Sequence, residues 1–158
     1  IAPGDSKWIP DADNQSEDIL LFNMLSKINS KNILVKTHPN NTHNRKNFAL
    51  KFENVVFIDR NETLLEAVFL DVNIEDKIIV TFSSSGAMFA KTIFGKEPYI
   101  VLTFRLFHQY HERGDENAER YAYDLKKMYT KSEKILIPNT VDEFCDMLKN
   151  ALLDTFKY

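Results

Sequence analysis

Over residues 78–95 the chain reads IIVTFSSSGAMFAKTIFG. Ile78, Ile79 and Val80 form a β-branched run suited to a buried strand, which breaks at once into Ser83, Ser84, Ser85 and Gly86. Helical spacing follows through Ala87, Phe89 or Ala90, Ile93 and Phe94, and Gly95 supplies the residue type that commonly stops a helix. The stretch is therefore expected to be a strand, a tight hydroxyl-rich turn and a helix. Free backbone N–H groups, the positive end of the helix dipole and three hydroxyls would meet in that turn. Such a turn suits a phosphate or another anion, although a serine there also serves simply as a helix cap.

Outward from this stretch, strand-like and helix-like segments alternate. Asn32–Lys36 (NILVK) and Asn54–Ile58 (NVVFI) are apolar runs suited to parallel strands; Lys77–Thr81, Pro98–Leu102 and Ile135–Ile137 add three more. Helical spacing is expected from Ser16 to Asn29, Glu62 to Asp71 and Asp115 to Tyr129, and again after Thr140, where Glu143 completes a capping-box pattern. Leu64, Leu65, Val68 and Phe69 should face inward on the second of these helices, and Cys145 on the last. Thr103–Gly114 (TFRLFHQYHERG) is long for a strand-to-helix connection and reads as an aromatic, cationic loop, where Arg105, His108 and His111 would be solvated or would meet an anion. The alternation argues for an α/β fold: a Rossmann-like three-layer αβα sandwich on a parallel sheet of about five or six strands.

Composition narrows the function classes. The chain has 158 residues, 44% hydrophobic and 27% charged, enough for a single domain over residues 1–158 with a proper core. Its net charge of −3 disfavours a general nucleic-acid binder. One cysteine excludes an internal disulfide, and no Cys/His spacing suits zinc. No apolar run approaches the roughly 20 residues of a membrane span. Four glycines and no GxGxxG after the first strand disfavour a dinucleotide or P-loop site. The FSSSG turn lacks the first glycine of a nucleophile elbow, which disfavours Ser-His hydrolysis. An opening Ile in place of Met is expected of a piece of a longer protein.

The second motif is Lys36-Thr37-His38-Pro39. Pro39 drives His38 toward extended geometry, which would display the imidazole at the C-terminal end of a strand, where open α/β sheets bind ligands. A solvated turn histidine is the plainer alternative. Gly4, Asp5 and Glu62 are weaker candidates, better suited to turn and helix-start roles. His38 and the serines should lie on one rim and converge on one phosphate, with charge-assisted bonds from a protonated His38.

KTHP followed by TFSSSG, together with FGKEPYIV after the intervening helix, resembles the HP and SS motifs of bacterial sialyltransferases, polysialyltransferases included, over roughly residues 31–105. The resemblance implies a GT-B glycosyltransferase of which this chain is the C-terminal, donor-binding half. His38 would contact the donor phosphate of CMP-sialic acid and help CMP leave, and Pro39 would shape the turn. Ser83, Ser84, Ser85 and Gly86 occupy the SS motif and would bind the phosphate. The family mechanism inverts the anomeric centre and needs no metal or other cofactor. Its catalytic base lies in an acidic motif of the N-terminal domain, and no such motif occurs here (Arg113-Gly114-Asp115 has the wrong order). The fragment alone is then expected to be inactive. Implied partners are the nucleotide-sugar donor, a capsule or lipooligosaccharide glycan acceptor and the N-terminal GT-B domain. The implied location is the cytoplasm, with room for peripheral association at the inner face of a bacterial membrane. CMP-Kdo and CDP-glycerol transferases share the HP-then-serine layout, and a non-catalytic Rossmann-like binding module remains the reading from another class.

Overall fold

The structure is a computed structural model that describes residues 33–36, 55–58, 64–107 and 116–155. Trp8, the helix expected from Ser16 to Asn29, Glu62, His108 and His111 lie outside the described residues. The chain forms two compact units, one of residues 12–71 and one of residues 1–11 with 72–158.

In the first unit, β1 (Ile33–Lys36) and β2 (Val55–Ile58) pair in parallel, with Ile33 opposite Val55 and Lys36 opposite Ile58. Helix α1 (Leu65–Asp71) buries Val68 and Phe69 as its spacing predicts. Leu64, expected inward, is exposed, because the helix begins only after it.

The second unit is an α/β arrangement on a parallel sheet of order β3 (Ile78–Thr81), β4 (Tyr99–Leu102), β5 (Ile135–Leu136). The five strands among the described residues are thus paired as two and three. Helices α2 (Gly86–Thr92) and α3 (Glu116–Met128) connect consecutive strands, and α4 (Val141–Thr155) follows β5. β4 is central, and Ile100, Val101 and Leu102 are fully buried, as expected of a parallel strand covered on both faces. Each such side chain contributes about 1.5–3 kcal/mol of burial. Pro98 immediately precedes β4, where no ladder N–H is required of it.

Alternation along β4 assigns its two faces. Ile100 and Leu102 join Ala87 of α2 and Ala118, Ala122 and Leu125 of α3 in one apolar cluster, against which Ile79 and Ile137 also pack. Tyr99 and Val101 take the other face, where the Tyr99 hydroxyl meets Asp154 of α4 at 2.7 Å. α2 and α3 thus pack on one face of the sheet, and α4 meets the other through Asp154. α3 carries Glu116 and Glu119 in its first turn and Lys126 and Lys127 in its last, complementing its dipole. α2 presents alanines inward and ends before Ile93, which is exposed instead of inward. Gly95 closes the stop at φ +66°, with its N–H on the Lys91 carbonyl at 3.0 Å.

The edge of the sheet at the strand N-termini is tied by Glu97. Its carboxylate pairs with Lys91 and accepts the backbone N–H of Thr130 at 2.8 Å and of Lys131 at 3.2 Å. Its own N–H donates to Glu75, and its carbonyl accepts Lys134 Nζ at 2.6 Å. Burial by itself would raise the Glu97 pKa, but Lys91 and the two amides outweigh it and hold the carboxyl at about 2. No described helix is long and apolar enough to cross a membrane.

Candidate functional site

The opposite edge, at the strand C-termini, carries the serine turn. β3 ends at Thr81; Ser83 is half-buried, Ser84 and Ser85 are exposed, and the buried Gly86 opens α2. The three serines differ in role. Ser84 Oγ accepts the Gly86 N–H at 3.3 Å, and its carbonyl accepts Ala87 N–H at 3.1 Å, so Ser84 acts as the cap. Ser85 already has helical dihedrals (φ −58°, ψ −22°), and its hydroxyl makes no cap bond. Among the described residues, the hydroxyls of Ser83 and Ser85 have no hydrogen-bond partner and remain available to a ligand.

Two residues outside the run of serines fix this turn. Thr81 Oγ1 accepts the Ser84 N–H at 3.3 Å, and the Tyr121 hydroxyl of α3 donates to the Ser84 carbonyl at 2.8 Å. Burial pushes the Tyr121 phenol up to about 12, so it remains a donor at neutral pH. Tyr121 fits the inward helical spacing of the sequence, but nothing in that spacing indicates its reach to the turn. The available signal is that an aromatic with a polar tip at the margin of a core face usually finds a partner for that tip.

The segment after β4 differs from the loop expected there. Thr103, Phe104, Leu106 and Phe107 are buried, a short 3-10 turn spans Phe104–Leu106, and the Phe107 ring meets that of Phe82 at 5.5 Å. Arg105 is neither a solvated cation nor an open anion receptor. Its Nε and Nη2 donate to the two carboxylate oxygens of Glu119, each at 2.7 Å, and Nη1 donates to Asn139 Oδ1 at 3.0 Å. Asn139 in turn donates its N–H and side-chain amide to Glu143 at 2.7 and 3.0 Å. These two bonds lead the causes that hold the Glu143 carboxyl below its usual range. The capping box is half realised: Thr140 Oγ1 accepts the Glu143 N–H at 3.1 Å, while the Glu143 side chain serves Asn139, one residue earlier than the motif prescribes. Cys145, expected in the core, is half-buried on α4.

Ser83, Ser84, Ser85 and Gly86 are thus gathered in one turn at a strand end, as their sequence suggests. His38 and Pro39, with Gly4 and Asp5, lie outside the described residues; β1 ends two positions before His38. Among the described residues, no three His, Cys, Asp or Glu side chains cluster as a metal ion would require. Comparisons with protein families, with curated proteins and with solved structures gave no match.

Proposed function

We propose that this chain is the donor-binding half of an inverting, metal-independent glycosyltransferase of the GT-B type. Its donor is CMP-sialic acid and its acceptor a surface glycan of the capsule or lipooligosaccharide kind. The observation supporting this reading is the serine turn: two exposed or half-exposed hydroxyls without partners among the described residues, at the C-terminal end of a parallel β-strand. Hydroxyls placed there suit a phosphate that gains charge as its bond to the sugar breaks.

In this reading Ser83 and Ser85 bind the donor phosphate, and Ser84 holds the turn in shape. His38 supplies a charge-assisted bond as CMP departs, and Pro39 keeps His38 extended. A Rossmann-like sheet of about five or six strands belongs to this reading, and an N-terminal GT-B domain would contribute the catalytic base and the acceptor site. The reading carries a cytoplasmic location with peripheral attachment at the inner membrane face. A non-catalytic module is favoured by one observation, the capping role of Ser84, which explains one serine of three without a ligand.

Calorimetric titration of the 158-residue chain with CMP, and with cytidine as control, tests the proposal. CMP should bind and cytidine bind much more weakly, and a double Ser83→Ala, Ser85→Ala variant should lose that difference. His38→Ala should weaken CMP binding as well. Equal binding of the two ligands, or an unchanged difference in the serine variant, refutes the phosphate site. Competition by CMP-sialic acid, CMP-Kdo and CDP-glycerol then ranks the donors.

A further inference from the structure

Three loops leave the C-terminal ends of β3, β4 and β5, and all three are tied to α3 directly or through one residue. The loop after β3 is held by Tyr121 through the Ser84 carbonyl, and the loop after β4 by Glu119 through Arg105. Arg105 then reaches Asn139 in the loop after β5. Helix geometry explains how one helix serves both sides. Ala118, Ala122, Leu125 and Tyr129 form the buried stripe of this segment. At 3.6 residues per turn, Glu119 falls about 90° to one side of that stripe and Tyr121 about 70° to the other. With strand order β3-β4-β5, Tyr121 reaches the β3 loop, and Glu119 reaches the loops of β4 and β5.

We infer that α3 sets the shape of this rim, with Tyr121 and Glu119 as positioning residues that act through Ser84 and Arg105. Loops of this kind otherwise sample many conformations at surface positions. Here the Ser84 carbonyl is fixed from α3, and its N–H is fixed from Thr81, so the direction in which Ser83 and Ser85 present their hydroxyls is set from both ends. On the ligand side this inference rests on the phosphate-site reading above; the control of loop shape by α3 does not.

The test uses the whole chain with Tyr121→Phe and, as a second variant, Glu119→Gln. Hydrogen exchange at the Ser84, Gly86 and Ala87 amides should quicken about fivefold in Tyr121→Phe, the equivalent of one ordinary hydrogen bond. The Ile100 and Val101 amides should not change. Glu119→Gln should leave the serine-turn amides alone and speed exchange at Asn139. In Tyr121→Phe the preference for CMP over cytidine should fall by about the same factor, a ratio that a general loss of stability would not move. Unchanged exchange at the serine turn, or quickening spread equally into β4, overturns the role of α3. A wild-type chain that binds no CMP removes the phosphate reading, and the exchange result alone then decides the positioning role.

Discussion

Arg105 and Glu119 meet fork to fork: Nε donates to Oε1 and Nη2 to Oε2, both at 2.7 Å, across fourteen residues of sequence. Such bidentate pairing uses the planar guanidinium in a way that an ammonium cannot reproduce. The two side chains are 30% and 38% exposed, which reduces the contribution of the pair relative to a buried one. Arg105→Lys is expected to cost about 1 kcal/mol, read as a lower urea midpoint at unchanged slope. A midpoint equal to that of the wild type contradicts the pairing.

The serines should separate in stability into one that supports the turn and two that do not. Ser84→Ala removes the cap and should cost about 1 kcal/mol of stability. Ser83→Ala and Ser85→Ala, which break no side-chain hydrogen bond among the described residues, should stay within about 0.5 kcal/mol of the wild type. Thermal denaturation of the three variants checks this order, and a larger loss at Ser85 than at Ser84 would move the cap by one residue.

Acid should act on the chain partly through Glu97. Its carboxyl is at about 2 in the folded chain against 4.5 as its ordinary value, so the folded state favours the ionised form. The stabilisation this provides is fully present above pH 4.5 and is lost as pH falls from there toward 2. Glu143, also held low by Asn139, adds in the same direction. Glu97→Gln is expected to be less stable than wild type at pH 7, with the difference shrinking between pH 4.5 and 2. Parallel stability curves for the two proteins across that range would contradict the assignment.

Tyr129 is a stored cost. Its ring packs in the core at 5% exposure, yet its hydroxyl is buried with no hydrogen-bond partner among the described residues. Burial, with the negative charges of Glu97 and Glu75 behind it, pushes the phenol well above its ordinary range. Tyr129→Phe deletes the unsatisfied group and keeps the ring, so stability should rise by about 1 kcal/mol. A drop in the melting temperature would mean that the hydroxyl has found a partner.

Much of the second unit is legible in sequence because its signals are strong and local. β-branched runs mark β3 and β4 within one residue of their observed starts, and the stop at Gly95 follows from its tolerance of positive φ. The places where structure departs from the local pattern share a cause. In Thr103–Phe107, the charge of Arg105 and the aromatic clustering look like an exposed loop. The charge is neutralised by Glu119, however, and the aromatics then enter the core. Leu64 and Ile93 fit an inward periodicity that runs past the ends of their helices. The serine motif is visible as a motif, but its division of labour depends on a tyrosine thirty-seven residues away, and no local pattern encodes that. The His38 half of the candidate site lies outside the described residues.

The buried turn after β4 also limits how the molecule can be cut or extended. Thr103, Phe104, Leu106 and Phe107 fill space within the unit, and the Thr103 N–H donates to the Thr81 carbonyl at 2.9 Å, prolonging the strand pairing beyond the end of β4. A protease site, an affinity tag or new chain termini placed between Thr103 and Phe107 would open the interior instead of decorating the surface. Exposed positions on α3, such as Tyr123 and Asp124, are better places to attach a reporter, because they leave both the core and the serine turn intact.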